Sequence, residues 1–99
     1  MTSNHYRTDR QARESLIQQI GIGTIIKAVK LDKGHKDGPE IHKITNTGII
    51  IIYNAKTNKM ITKLIARPAQ IRRYYKDGNA PEELIRIAAE HTRKGYNHF

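Results

Sequence analysis

The sequence predicts an α+β domain: an N-terminal helix, a four-stranded antiparallel β-meander and a C-terminal helix. Three observations carry this reading. Apolar residues recur at helical spacing near both ends, the pattern between them changes to short β-branched runs, and the connections between those runs suit antiparallel pairing. A chain of 99 residues suits one domain with one modest core.

Residues 1 to 7 read as a frayed lead. Thr8-Asp9-Arg10-Gln11 then reads as a capping box, with Thr8 taking one orphan amide and Gln11 reaching back. Ala12, Leu16, Ile17 and Ile20 follow at helical spacing and Gly21 is a natural stop, so the first helix is expected over 8–20. Thr24 to Leu31 is rich in β-branched residues, and Asp32 to Pro39 is a turn-forming loop. Glu40 to Thr45 makes a short strand, and Asn46-Thr47-Gly48 is a tight connection with glycine where a left-handed residue is wanted. Ile49 to Tyr53 is apolar on both faces, which suits the middle of a covered sheet. The loop AKTNK leads into a last strand, Met60 to Arg67. Pro68 ends it and opens a short helical turn, PAQIRRYY, with Ile71 and Tyr75 on one side. Pro81 suits the first position of the C-terminal helix, with Glu82 and Glu83 against the positive end of its dipole. Leu84, Ile87, Ala88 and His91 share a face of that helix, and Gly95 caps it.

Composition narrows the class. The chain has no cysteine, hence no disulfide framework, thiol chemistry or cysteine-ligated zinc. No apolar run is long enough to span a membrane, and the first residues lack the apolar stretch of a secretory leader. A cytoplasmic location is the expectation, with no membrane partner. The formal net charge is +9 and is unevenly placed. From Ile41 to Lys76 there is no Asp or Glu, whereas Lys43, Lys56, Lys59, Lys63, Arg67, Arg72, Arg73 and Lys76 all fall there. The rest of the chain is nearly balanced. A block of one sign is what a polyphosphate partner requires, because each cation displaces a condensed counterion from the backbone. The expected partner is nucleic acid, RNA in preference to DNA.

Of the five histidines, His5 and His98 lie at the termini, and His91 reads as a core or rim residue of the last helix. His35 and His42 remain, with Lys27 and Lys30 as nearby cations. One imidazole can take the proton of a ribose 2′-hydroxyl while another group protonates the leaving 5′-oxygen, and a cation offsets charge on the phosphate. Loop polarity explains the same pair equally well. His42 is the better candidate, because a strand fixes where it points. Thr62 and Arg67 on the last strand suit a phosphate contact, although strand alternation puts them on opposite faces. Arg72-Arg73-Tyr74-Tyr75 mixes cations with aromatics, a combination that clamps a backbone while stacking a base, or simply packs a sheet edge. Lys43, Lys63, Arg72, Arg73 and Lys76 are the candidate nucleic-acid contacts. There is no P-loop, no GxGxxG after a strand and no carboxylate cluster for Mg²⁺. No metal or other cofactor is expected.

An N-terminal helix followed by a meander, with GIIIIYNAKTNKMITKLIAR as its central hairpin, resembles the small ribonuclease toxins of the barnase–EndoU–colicin–RelE group. The likeness covers residues 24 to 75. It implies metal-independent RNA cleavage and a cognate antitoxin. It also implies that His35 or His42 is the upstream histidine, Thr62 the hydroxyl of the late strand, and Arg67, Arg73 or Tyr74 the phosphate-binding and acid positions. Three readings therefore stand side by side. One is a metal-independent endoribonuclease of toxin type. A second is a non-catalytic nucleic-acid-binding accessory protein of a phage or mobile element. The third is a protein-interaction or inhibitor module with a basic face.

Overall fold

A computed structural model describes residues 3–32 and 38–97, the side chains of 3–9 excepted. In chain order the elements are α1 (Ser3–Ile20), β1 (Ile25–Leu31), β2 (Glu40–Thr45), β3 (Ile49–Asn54), β4 (Met60–Ile65), α2 (Pro68–Tyr74) and α3 (Glu82–Arg93). The four strands form one antiparallel sheet in sequential order, the expected meander. The class is α+β, with helices at both ends of the chain as predicted.

Register assigns the paired strand residues to a face, because directly paired residues point the same way, with irregularities at Ile26 and Ile61. One row runs Val29, His42, Ile52, Thr62, and the next runs Ala28, Lys43, Ile51, Lys63 on the other side. The first face carries α2 and α3: Ile44, Ile50 and Ile52 pack with Ala66, Ile71, Leu84 and Ala88. The second carries α1, whose Ile17 packs with Ile49, Ile51 and Ile65. The isoleucine run of β3 feeds both layers, as a strand covered on two sides must.

The turns follow from their residues. Gly48 has φ +83, so the β2–β3 connection is built on a left-handed residue. Thr45 Oγ1 accepts from the amides of Ile49 and Thr47, and Thr47 Oγ1 donates to the Gly21 and Ile22 carbonyls. That ties the end of α1 to the hairpin. In the β3–β4 loop Asn54 Oδ1 accepts from the amides of Lys56 and Thr57, and Asn58 takes the left-handed conformation.

Several boundaries differ from expectation. The first helix starts at Ser3 rather than at residue 8, so Thr8 lies inside it and is no cap, and the stretch read as frayed is mostly helical. Strand β4 stops at Ile65 rather than at Arg67. Arg67 instead caps α2, its amide donating to Gln70 Oε1, and Pro68 has no amide with which to continue a ladder. The PAQIRRYY segment is accordingly a helix in its own right, and its buried Ile71 sets its roll against the sheet. After α3 the chain turns back, and Asn97 Nδ2 donates to the Ala66 carbonyl and to Thr92 Oγ1.

Candidate active site

Glu40 and His42 are two residues apart on β2, so alternation places both on the face that carries α2. Both are over nine-tenths buried. Glu40 Oε1 lies 2.9 Å from His42 Nε2, and His42 Nδ1 lies 2.6 Å from the hydroxyl of Tyr74 at the end of α2. The two rings are tilted at 53° with centroids 5.6 Å apart. An ionised carboxylate only accepts, so with Glu40 charged Nε2 carries a proton. In the neutral imidazole Nδ1 is then the acceptor, and the Tyr74 hydroxyl donates to it. The result is a carboxylate–imidazole–phenol chain whose outer end is the tyrosine oxygen.

That end faces a cavity of about 590 Å³ whose wall includes Lys27, Lys30, His42, Arg73, Tyr74 and Lys76. Lys27 shares the His42 face by register, and its ammonium sits 4.7 Å from the centroid of the Tyr75 ring. Lys30 belongs to the opposite row but lines the cavity from the edge strand. Burial holds the Tyr74 hydroxyl above the usual tyrosine pKa; the Arg73 guanidinium pulls it down and the Glu40 carboxylate adds a smaller rise. Tyr74 is therefore a protonated phenol at neutral pH, a hydrogen-bond donor rather than a standing phenolate.

The sequence-derived candidates separate in space. His42, Tyr74, Arg73 and Lys76 come together around this cavity. Thr62 does not join them. It shares the His42 row but lies two strands away, roughly 10 Å at the usual strand spacing, with Ile52 between, and its hydroxyl is 3.5 Å from Arg13 Nη2. Arg67 is also elsewhere, donating from Nη2 to the carbonyl of Asn97 at 2.9 Å. Leaving the strand at Ile65 turned its side chain to the C-terminal turn instead of to a phosphate site. Arg72 is exposed and lines a different hollow, with Tyr75 and Gly78. Lys43 and Lys63 lie on the α1 face, where Lys43 covers the Tyr53 ring at 4.5 Å and Lys63 pairs with Glu14 at 3.2 Å. Strand alternation thus deals the cations of the positive block to both sides of the sheet. His35 lies outside the described residues.

Glu40 was missed as a site residue. Its signal was present, since Glu-x-His on a strand puts the two side chains on one face. The bond from His42 to Tyr74 spans 32 positions and leaves no local trace.

His91, expected as a core or rim residue, is buried on α3 with its ring stacked on Tyr96. Its Nδ1 has no hydrogen-bond partner among the described residues. Among the described residues no group of three or more His, Asp or Glu is placed to hold a metal ion. No described helix is long and apolar enough to cross a membrane.

Comparison of the chain with protein-family models, with characterised proteins and with solved structures gives no match.

Proposed function

We propose that this chain is a metal-independent endoribonuclease of toxin type, acting in the cytoplasm, with the Glu40–His42–Tyr74 chain as its proton-transfer group. The observation that supports this is the opening of that chain into a cavity walled by Lys27, Lys30, Arg73 and Lys76. A hydroxyl backed by an imidazole and a carboxylate is the arrangement that moves protons at neutral pH, and the cations match a phosphodiester.

In this reading the Tyr74 oxygen takes the proton of the ribose 2′-hydroxyl as its own proton passes to His42 Nδ1. Glu40 stabilises the imidazolium through Nε2. The 2′-oxygen bonds to phosphorus, and the charge that builds on the phosphoryl oxygens is met by Arg73 and Lys76. The bond from phosphorus to the 5′-oxygen breaks, and the Lys27 ammonium protonates the departing oxygen. The products are a 2′,3′-cyclic phosphate and a 5′-hydroxyl end. Each proton transfer is performed by a side chain of the site, so the scheme is written without a metal.

The test is cleavage of labelled single-stranded RNA in excess EDTA by the wild type, Tyr74→Phe and His42→Asn. The expected result is cleavage by the wild type and a loss of about 10²- to 10⁴-fold in each variant, the usual range for a lost general acid or base. An RNA with 2′-deoxyribose at the cleavage site stays intact. Cleavage that persists in Tyr74→Phe overturns the assignment.

A second reading is a non-catalytic RNA-binding protein, favoured by the depth of Glu40 and His42: a polar chain so buried also serves to hold α2 on the sheet. Intact RNA with a mobility shift selects it.

A further inference from the structure

The α1 face of the sheet is only partly covered. Ile17 of α1 sits over Ile49, Ile51 and Ile65, toward the β4 side. Toward β1 the same face presents Ala28 and Lys30, both exposed, and a half-buried Lys43, while Tyr53 of β3 sits half-buried at the margin of the Ile17 cluster. The Lys43 ammonium lies over the Tyr53 ring at 4.5 Å. Unlike Lys63 on the same row, which is held by Glu14, Lys43 has no carboxylate partner among the described residues. Lys30 is on this face by register, yet it also lines the cavity at Tyr74, because β1 is the edge of the sheet. The positive surface therefore continues from the cavity round the β1 edge onto the open face.

We propose that single-stranded RNA, entering at the Tyr74 cavity, crosses the β1 edge at Lys30 and stacks a base on Tyr53, with Lys43 on the adjoining phosphate. This rests on the RNA reading above for its partner and goes beyond it in assigning a second binding surface on the far side of the sheet. The chemistry is specific to a nucleotide. Its base replaces the ammonium on the aromatic ring, and its phosphate receives the ammonium so displaced, so both members of the cation–π pair find a partner in one ligand unit. A nucleotide carries a flat base and a phosphate in every unit, whereas an acidic protein surface must bring an aromatic side chain and a carboxylate together to match both. The distance is short: β1 to β3 is two strand spacings, roughly 10 Å. Length is the consequence, since a dinucleotide fills the cavity alone while a longer strand reaches both places.

Fluorescence anisotropy with a 2′-O-methyl RNA of about twelve nucleotides, within the usual footprint of single-strand binders, tests this without cleavage. Tyr53→Ala and Lys43→Gln are each expected to weaken binding about tenfold, the effect of losing one stacked base or one charged contact. Lys43→Gln also flattens the salt slope by about one phosphate. Tyr53→Phe keeps the ring and binds as the wild type, which assigns the contact to the ring and not the hydroxyl, and an unfolding midpoint of Tyr53→Ala above the assay temperature separates stacking from folding. Cleavage of a dinucleotide is unchanged in all three. Affinity for the longer RNA that is unchanged in both Tyr53→Ala and Lys43→Gln overturns the surface, and so does the absence of RNA binding at low salt. If no RNA is cleaved but the affinity still falls in the variants, the surface stands and the catalytic reading alone is lost.

Discussion

On one face of the sheet, Lys27, Arg73, Lys76 and one acid, Asp77, line a cavity beside His42 and Tyr74, which are hydrogen-bonded to each other, and His42 in turn to the buried Glu40. On the other, Lys63 is bound to Glu14 and Lys43 lies over Tyr53. Cations from the same stretch of chain, Arg73 and Lys76 against Lys43 and Lys63, thus have different surroundings on the two sides. On the α1 face a helix supplies a carboxylate and tames one lysine. On the α2 face the incoming helix supplies Arg73 and Tyr74, so positive charge lies beside the hydrogen-bonded chain of Glu40, His42 and Tyr74. A cation is made useful by what docks opposite it, and local sequence does not encode that.

The largest expected effect asks whether the two faces share the burden of stability. Ile50 faces α2 and α3, Ile49 faces α1, and both are completely buried. Ile50→Ala and Ile49→Ala should each cost about 2–5 kcal/mol by urea unfolding. A cost confined to Ile50→Ala would make α1 an accessory layer and remove the symmetry of the comparison.

Charge sharpens the contrast. Arg73→Ala is expected to lower RNA cleavage by about a hundredfold, in the range of one lost transition-state donor. Lys63→Gln should leave cleavage unchanged and move stability by no more than about 1 kcal/mol, because its partner Glu14 is partly exposed. Equal losses in the two variants would mean that the faces act as one surface.

The hairpin that joins the layers offers a smaller test. A Cβ on Gly48 meets His91 Cε1 at 3.2 Å and has φ +83 to contend with, so Gly48→Ala should cost about 1–2 kcal/mol, whichever face is probed. A midpoint of thermal unfolding equal to the wild type would count against that contact.

The smallest effect is titration of His91. Burial lowers its pKa, the Lys94 ammonium lowers it further and the Glu90 carboxylate opposes. The folded state then binds fewer protons than the unfolded state, so stability is full above the unfolded histidine value of about 6.5 and falls as the pH drops below it. The loss continues down to the lower folded-state pKa. His91→Gln should flatten that part of the stability curve, measured by urea midpoints across the acid range. An unaltered slope would place the acid sensitivity elsewhere.

Most of the fold was legible. Short β-branched and apolar runs between turn residues predict β1 to β4, and the β2 bounds agree to the residue. The helices were harder at their ends. Thr8 has the chemistry of a cap, yet the helix continues back to Ser3, and Arg67 looks like strand although Pro68 and Gln70 make it a cap. The site was half legible. His42, Tyr74, Arg73 and Lys76 were all identifiable by residue type, whereas the exclusion of Thr62 and Arg67 depends on Ile52 standing between strands and on Asn97 folding back.

What the amino-acid sequence determines by itself is what depends on neighbours a few positions away. That covers the order of strands, the glycine at a left-handed turn and the concentration of positive charge between Ile41 and Lys76. Only the tertiary structure decides that α1 covers one face and α2 the other, and so which cations are paired and which line a cavity. The physical reason lies in range. Alternation and turn geometry are set by backbone sterics within a few residues, while the meeting of Glu40, His42 and Tyr74 results from burying Ile71 and its partners across more than thirty positions of chain.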